Sequence, residues 1–157
     1  MQEISIRRAV EADYDALGQV MFRAIHEGDS PYTTAQRHAW MAAPLQGAEW
    51  SARLSAETCF VGTIDNSLCG FMTLTQTGYV DLAFILPEHR GKRLFARLLD
   101  KIEDVARQNG IDRLFTHASL MAQPAFARRG FVVDDHETVD RNGEALARAA
   151  MSKSLDQ

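Results

Sequence analysis

The chain has 157 residues, of which 46% are hydrophobic, and its formal net charge is −4 at pH 7. This length is sufficient for one hydrophobic core and short for two, so we expect a single domain over residues 1–157. An acidic chain lacks the overall basic face that a nucleic acid backbone requires, which argues against nucleic acid as the main partner.

Neither a membrane segment nor a metal site is indicated. No apolar run approaches the roughly 20 residues that span a bilayer. The N-terminus Met1-Gln2-Glu3 lacks the basic and apolar parts of a signal peptide, so we expect a cytoplasmic protein with no membrane partner. Cys59 and Cys69 lie in neighbouring apolar runs without His partners at ligand spacing, which predicts buried free thiols and no metal.

A strand and two helices open the chain. Ile4 and Ile6 alternate with polar neighbours, as on a half-buried strand. Asp13 is a candidate cap for a first helix, which Gly28 and Pro31 end. Its apolar residues recur at helical spacing: Leu17, Val20, Met21, Ala24 and Ile25. A second helix is predicted to begin at Thr33 or Thr34, to contain Trp40 and Met41, and to break at Pro44. Only a short turn is predicted at Trp50 to Leu54.

Strands dominate the middle of the chain. Thr58 to Ile64 and Leu68 to Thr75 are rich in β-formers and are joined by Asp65-Asn66-Ser67, which predicts a hairpin. Thr77-Gly78 then turns into a strand from Tyr79 to Leu86. A helix begins near Leu94 and ends at Asn109-Gly110. The remaining elements are a strand Arg113 to Ala118, a short helix Gln123 to Arg129, and a strand pair Phe131 to Val139 and Glu144 to Met151. Helices separated from antiparallel hairpins indicate an α+β fold.

The stretch from Tyr79 to Leu94 indicates an anion site. An apolar strand stops at Pro87 and passes through a short basic glycine turn into a helix. The first N–H groups of a helix lack intrahelical partners and carry the positive end of the macrodipole, so they bind phosphate well. Arg90, Lys92 and Arg93 add cations to this turn. The sequence therefore predicts a phosphate-bearing ligand.

This turn resembles the acetyl-CoA pyrophosphate loop of the GNAT N-acetyltransferase superfamily. The usual form of that loop is Arg or Gln, any two residues, Gly, any residue, then Gly or Ala. Here the register reads Arg90, Gly91-Lys92, Arg93, Leu94, Phe95. Arg93 and Phe95 replace two small residues of the usual form.

A second segment, from His117 to Phe131, is similar to the fifth strand and fourth helix of the same superfamily. The superfamily often has Asn where Ser119 stands, Ala at Ala122 and Tyr or Phe at Phe126, and it closes with Gly-Phe. The similarity extends over nearly the whole chain and is greatest to a bacterial subgroup of small, mostly uncharacterised members.

The resemblance implies a GNAT-like fold: a mixed, mostly antiparallel central sheet with helices on both faces and with the fourth and fifth strands splayed apart. It also implies that the pantetheine arm pairs with the exposed edge of the Tyr79 to Leu86 strand, as an added strand would. Backbone groups of Ala83, Phe84 and Ile85 are the candidate contacts, and a bulge there would help to open the edge.

The same resemblance implies the contacts of the acetyl-CoA pyrophosphate. They are expected at Arg90, Gly91, Lys92, Arg93, Leu94 and Phe95. Phe95 narrows the approach unless its side chain turns into the core. Ser119 has two interpretations, a hydrogen bond to the cofactor or a cap of the following helix. Phe126 stands where many members have a Tyr that protonates the leaving thiolate, so release here needs another donor, such as water, or proceeds as the anion.

Acetyl transfer to an amine requires removal of a proton, because an alkylammonium has a pKa of about 10.4 and no lone pair. Asp81 is the first candidate base, since these enzymes often carry a carboxylate at that position; the alternative is a solvated or hydrogen-bonded strand residue. His117 is the second candidate base, and its alternative is again an ordinary strand residue. The acceptor pocket is expected from His26 to Trp50, with Tyr32 and Trp40 as contacts, although helix packing also explains the Trp residues.

Two functions remain open from the sequence. The first is an acetyl-CoA-dependent N-acetyltransferase acting on a small-molecule amine or a peptide, without a metal and as a monomer or homodimer. The second is a CoA-binding or regulatory module that has kept the fold and lost turnover. Arg93, Phe95 and Phe126 motivate the second function.

Overall fold

The computed structural model describes residues 3–155. Met1 and Gln2 lie outside the described residues, and the expectation of no signal peptide rests partly on them. The C-terminal end of the expected 1–157 domain also lies outside the described residues. The strands are β1 (Ile4–Arg8), β2 (Thr58–Ile64), β3 (Ser67–Leu74), β4 (Tyr79–Ile85), β5 (Arg113–Ser119), β6 (Val132–Arg141) and β7 (Glu144–Ser154). The helices are α1 (Tyr14–His26), α2 (Thr34–Trp40), α3 (Gly47–Ala56), α4 (Leu94–Gln108) and α5 (Gln123–Arg128).

The strands form one seven-stranded sheet in the order β1-β2-β3-β4-β5-β7-β6. Only β4 and β5 run parallel among these neighbours, and the other pairs are antiparallel. The predicted mixed, mostly antiparallel sheet is therefore confirmed. The hairpins β2–β3 and β6–β7 turn at Asp65-Asn66 and Asn142-Gly143, all with positive φ, as tight two-residue turns require.

Helices cover both faces of this sheet, as predicted. Successive residues of a strand point to opposite faces, and Phe71 and Met72 of β3 accordingly belong to two different cores. The Phe71 core contains Leu17 of α1 and Leu54 of α3. The Met72 core contains buried residues of α4 and α5, among them Leu98.

Helix α4 is seated closely on the sheet at its first residue. A Cβ atom added to Gly62 of β2 would clash with the side chain of Leu94. The glycine therefore lets the buried Leu94 side chain pack directly on β2. The position of that helix start matters because it forms one side of the candidate site.

Two predictions about the first third of the chain are wrong. Trp50 to Leu54 is part of α3 and is not a short turn. The helical signal is sparse because only Trp50 and Leu54, one turn apart, are buried in this helix. Asp13 does not cap α1. Its carboxylate instead accepts from the N–H of Val10 at 2.8 Å and pairs with Arg7 at 2.8 Å, which stabilises the 3-10 turn before α1.

Other features of the helices and thiols agree with the sequence. The Thr33 hydroxyl accepts from the N–H of Gln36 at 3.1 Å and so caps α2, although that helix ends at Trp40 and Met41 lies just beyond it. Cys59 and Cys69 are buried free thiols, and burial raises the pKa of Cys59 to about 12. Across residues 3–155, no helix has the length and apolar character to cross a membrane.

Candidate active site

Strands β4 and β5 separate soon after they meet. They pair only through Tyr79 with Phe115 and Val80 with Thr116. The Thr116 hydroxyl donates to the carbonyl of Val80 at 2.8 Å and closes this end. Beyond it, the edge of β4 that faces β5 has no strand partner within residues 3–155. The predicted splay is confirmed, and it forms a V between the two strands.

A bulge in β4 lies at the base of the V. Met72 pairs with Ala83 and Leu74 with Val80, so two residues of β4, Asp81 and Leu82, stand opposite one residue of β3. That residue is Thr73, whose hydroxyl oxygen accepts from the N–H of Leu82 at 3.0 Å. The bulge therefore lies just before the predicted Ala83 to Ile85 segment, and its side-chain hydrogen bond replaces a missing ladder bond.

The backbone direction of β4 determines which groups face the V. The N–H groups of Leu82 and Leu86 both donate toward β3. Because successive residues of a strand alternate their hydrogen-bonding edge, the N–H groups of Ala83 and Ile85 point to the open edge, and that of Phe84 points toward β3. Two of the three predicted backbone contacts thus face the V, and the third residue contributes its side chain.

The turn before α4 has the geometry of an anion cradle. Gly91 has φ of +79°, and no heavy atom lies within 4 Å of a Cβ built there, so the backbone is open to a ligand. Arg93 has φ of +66° and directly precedes the helix. The first turn of α4 contains no acidic residue and no side-chain cap. Its first N–H groups and the positive end of the helix dipole are therefore available to an anion.

The predicted cations of this turn differ in where they point. Arg90 donates to the carbonyl of Ala24 at 2.9 Å, and burial and nearby Arg37 lower the pKa of Arg90, so this guanidinium mainly binds the end of α1. The Lys92 ammonium lies 3.5 Å from Nδ1 of His89. Arg93 lines the cavity over the turn.

This turn cavity has a volume of about 720 Å³. The predicted cofactor residues that line it are Ala83, Phe84, Ile85, Arg90, Gly91, Arg93, Leu94 and Phe95. The Lys92 side chain lies outside the lining. Phe95 packs its ring against Phe126 with centroids 4.9 Å apart, so it turns toward the core, the arrangement that leaves the approach to the turn open.

A second cavity, of about 480 Å³, lies beside the first, and we call it the acceptor cavity. It brings together the predicted residues Tyr32, Trp40, Asp81, His117, Ser119 and Phe126. The two cavities share four lining residues: Trp40, Ala83, Phe84 and Ala122. A group held along β4 in one cavity is therefore adjacent to a molecule in the other.

Tyr32 and Trp40 form a fixed wall of the acceptor cavity. The Tyr32 hydroxyl donates to the carbonyl of Ala147 at 2.6 Å and accepts from the N–H of Leu120 at 2.9 Å. The rings of Tyr32 and Trp40 meet edge to face with centroids 5.7 Å apart. These contacts connect α2 to the strands on the far side of the V.

Asp81 is held by Arg53, which the sequence analysis did not single out. Its Oδ2 atom accepts from Arg53 Nε at 3.1 Å and from Arg53 Nη2 at 2.9 Å, and 18% of the Asp81 side chain is exposed. Burial, followed by interaction with the neighbouring Asp81 carboxyl, raises the pKa of Glu57 from 4.5 to about 7.

His117 belongs to a polar chain on the other side of the V. Its Nδ1 atom lies 2.8 Å from the Tyr79 hydroxyl, and its Nε2 atom lies 3.7 Å from the carboxylate of Glu137, which accepts from Arg148 at 2.6 Å. Burial and the charge of Asp81 raise the pKa of Tyr79. His117 is thus hydrogen-bonded through Nδ1, and its Nε2 atom faces the Glu137 carboxylate at a longer distance.

Ser119 and Phe126, which line the acceptor cavity, also stabilise the local structure. The Ser119 hydroxyl oxygen accepts from the N–H of Ala122 at 3.2 Å, which stabilises the turn before α5. It does not cap the helix itself, because the N-cap residue is Ala122 and α5 has no side-chain cap. Phe126 is 1% exposed and packs edge to face with Phe131 as well as Phe95.

Sequence reasoning missed Glu57, Arg53 and Tyr79. Arg53 and Glu57 are four residues apart near the end of α3. Prediction of a helix there would have placed both side chains on one face. Their proximity to Asp81 depends on the packing of α3 beside β4, and no local pattern encodes it.

Comparison with known proteins agrees with this geometry. The sequence family described as an acetyltransferase (GNAT) domain matches residues 29–153. A GCN5-related N-acetyltransferase from Rhodopseudomonas palustris is 30% identical, with 96% of this chain and 95% of that chain covered and a TM-score of 0.89. No curated protein matches the sequence.

Two more distant structures share the fold. A putative acetyltransferase from Salmonella typhimurium, solved with its cofactor acetyl-CoA, is 21% identical over 99% of this chain and 95% of that chain, with a TM-score of 0.70. An N-acetyltransferase from Thermoplasma acidophilum, solved with coenzyme A, is 17% identical over 98% and 99% of the two chains, with a TM-score of 0.73.

Proposed function

The chain belongs to the GNAT acetyltransferase family, and we propose that it transfers an acetyl group from acetyl-CoA directly to the amine of a small molecule or peptide. The observation that carries this proposal is the meeting of the turn cavity and the acceptor cavity along the open edge of β4. We further propose that residues 1–157 form one cytoplasmic domain that acts without nucleic acid, membrane or metal partners.

The residues present fit acetyl-CoA, which supplies the acetyl group as a thioester. Gly91 and the first N–H groups of α4 offer donors to a pyrophosphate, and Arg93 adds a positive charge. The N–H groups of Ala83 and Ile85 offer partners to pantetheine amides at the open edge of β4. Relatives solved with acetyl-CoA or coenzyme A share this fold, which supports the assignment.

On the acceptor side, the chain supplies a base and a rigid wall. Asp81 presents a partly exposed carboxylate to the acceptor cavity, and we propose that it takes the ammonium proton directly or through a water. Tyr32 and Trp40 hold the acceptor against β4. The volume of about 480 Å³ favours a small molecule over a folded protein as the acceptor.

The buried ring of Phe126 cannot protonate a leaving thiolate. CoA is a tolerable leaving group without such help, because reference thiols ionise at about 8.5. The Ser119 hydroxyl accepts from the backbone and keeps its own hydrogen for donation into the acceptor cavity, so it and water are the available donors. The proposal therefore does not require a Tyr at this position.

A CoA-binding module without turnover is the second candidate, and the burial of Phe126 is the observation that favours it. The two functions differ in one measurement. Purified protein is mixed with acetyl-CoA and each member of an amine panel, and free thiol is recorded with and without amine. We expect amine-dependent thiol release. Binding of CoA by calorimetry with no release for any amine would instead support the module.

A further inference from the structure

Two arginine side chains line the part of the acceptor cavity that lies across the V from Asp81. Arg148 lies on β7 and Arg141 on β6, whereas Asp81 lies on β4. Strand β5 separates β4 from β7 in the sheet, so the backbones that carry Asp81 and Arg148 are roughly 10 Å or more apart. The cavity therefore has a carboxylate on one side and guanidinium groups on the other.

Strand pairing places both arginines on the face of the sheet that lines the cavity. Directly opposite residues of an antiparallel pair share a face. Arg148 is opposite Ser119 of β5, which also lines the cavity, and opposite Glu137 of β6. Arg141 lies four residues after Glu137 in β6, so the alternation of a strand gives it the same face. Both guanidinium groups thus project toward the same cavity.

The Arg148 guanidinium is held in place through one nitrogen and keeps its other donors. Its Nε atom donates to Oε1 of Glu137 at 2.6 Å, and 27% of the Arg148 side chain is exposed. Within residues 3–155, the side chain makes no other hydrogen bond, so the N–H groups of Nη1 and Nη2 are open to a ligand. These donors form a planar fork that matches the two oxygens of a carboxylate.

The charges around the acceptor cavity are not balanced. Arg53 and Arg148 each pair with a carboxylate. Arg141 is exposed, and among residues 3–155 its side chain has no hydrogen bond or ion pair, even with Glu144, its partner across the β6–β7 pair. An acceptor with only an ammonium group would add further positive charge. An acceptor that also carries an anion would offset the charge of Arg141.

We propose that the acceptor is an amine that also carries a carboxylate, with its ammonium at Asp81 and its carboxylate at Arg148 and Arg141. This inference rests on the proposed acetyl transfer. The Nη groups of Arg148 donate to the carboxylate oxygens, and Arg141 adds a charge at the exposed side of the cavity. The reaction balances as follows: the ammonium proton goes to Asp81, the nitrogen forms a bond to the acetyl carbon, the C–S bond breaks, and the thiolate leaves with its electron pair.

Matched acceptor pairs test the contact with the carboxylate. Each pair consists of an amino acid and the amine left by its decarboxylation, such as phenylalanine and phenethylamine. The panel spans α-, β- and γ-amino acids, so that the separation of ammonium and carboxylate varies. We expect Arg148→Gln to lower kcat/KM for the preferred amino acid at least about 10-fold and to change that for its amine much less. Comparison of the two proteins cancels the difference in amine pKa within a pair.

Two further variants control for folding, which is checked by melting temperature. Arg141→Gln changes an exposed side chain and should lower kcat/KM for the amino acid roughly 3-fold, with little effect on the amine. Arg113→Gln removes an arginine of β5 outside the acceptor cavity, where it pairs with Asp134, and should change neither value. If Arg148→Gln does not fold, Arg141→Gln decides the inference, and equal effects on both members of each pair overturn it.

Calorimetry without turnover separates the two proposals. The wild type and Arg148→Gln are titrated with each amino acid and its amine in the presence of CoA, which has no acetyl group to transfer. We expect the wild type to bind the amino acid more tightly and Arg148→Gln to lose this difference. Binding of this kind without thiol release for any acceptor would overturn the acetyl transfer and leave the carboxylate site standing.

Other outcomes overturn the inference alone. One is thiol release that is fastest with a diamine or another amine without a carboxylate, because a second ammonium would meet arginine in this cavity. Another is an active wild type whose ratio of kcat/KM within each pair is the same in Arg148→Gln. The absence of both thiol release and a binding difference would overturn both proposals.

Discussion

The rings of Phe95 and Phe126 meet edge to face, with centroids 4.9 Å apart and planes at 87°. Phe95 stands where the superfamily pattern usually has a small residue, and Phe126 stands where members have a Tyr or a Phe. The two rings form one packing arrangement, in which the larger side chain at Phe95 packs against Phe126 and not across the turn. Neither residue by itself indicates loss of the cofactor site.

This contact predicts energetic coupling between the two positions. We expect Phe95→Leu and Phe126→Leu to show a coupling energy of about 0.5–1.5 kcal/mol in a double-mutant cycle, because each single change already removes the ring pair. Urea unfolding of the wild type, both single variants and the double variant measures it. Phe71 lies in the other core, so Phe95→Leu with Phe71→Leu should be additive. Additivity of the first pair would contradict the prediction.

Gly91→Val should weaken acetyl-CoA binding by about 10-fold or more, because a β-branched residue strains a backbone with positive φ and fills the cradle. Gly110→Val is the matched control: Gly110 has φ of +74° and open space, but it lies at the far end of α4. Both variants should lose similar stability, and calorimetry should show weaker binding only for Gly91→Val.

Lys92→Ala should cause a smaller, salt-sensitive loss of affinity, since Lys92 lies outside the cavity lining and acts at longer range. Titrations at low and high salt measure it. If the folded wild type binds no CoA at millimolar ligand, the cofactor proposal is wrong.

Asp81→Asn should retain near-normal acetyl-CoA affinity and lower kcat by roughly 100-fold or more, since an amide cannot accept the ammonium proton. The residual rate should recover as the pH rises, because the solution then deprotonates the amine. Asp134→Asn is the control, as it removes another Asp–Arg pair, with Arg113 at 3.6 Å, outside the acceptor cavity. An unchanged kcat for Asp81→Asn would exclude Asp81 and favour His117 as the base.

Glu57 should make the stability of the protein fall as the pH rises through about 7. Its pKa is raised in the folded state, so between about pH 4.5 and 7 the folded protein holds a proton that the unfolded chain releases. The stabilising contribution is complete below that range and is lost above it. For a half-buried group we expect a loss on the order of 1–2 kcal/mol after solvent screening. Urea unfolding at pH 5.5 and 8.5 should show a smaller difference for Glu57→Gln than for the wild type, and equal differences would contradict the assignment.

The parts of the fold that the sequence predicts are those with strong local signals. Asn142-Gly143 specifies a tight hairpin by itself, and the glycine turn before Leu94 specifies the start of α4. Helix α3 was missed because a helix that buries only Trp50 and Leu54 gives almost no periodic signal. For this reason its contribution to the site, Arg53 and the adjacent Glu57, was missed too.

Within the site, sequence reasoning identified residue positions better than contacts. Asp81 lies in the acceptor cavity as its place on β4 suggests, but its hydrogen bonds to Arg53 depend on how α3 packs beside β4. Arg90 occupies the basic position of the loop motif, but its guanidinium donates to the carbonyl of Ala24 at the end of α1. Such choices between a ligand and a neighbouring carbonyl depend on tertiary structure.

The early separation of β4 and β5 divides the sheet into a four-stranded and a three-stranded part. The two are connected by the pairs Tyr79–Phe115 and Val80–Thr116, whereas β5 and β7 pair along the whole length of β5. A molecule bound in the V contacts both parts, so it acts as a cross-link between them. Ligand binding should therefore increase the cooperativity of unfolding as well as the midpoint temperature, because the two parts then melt together.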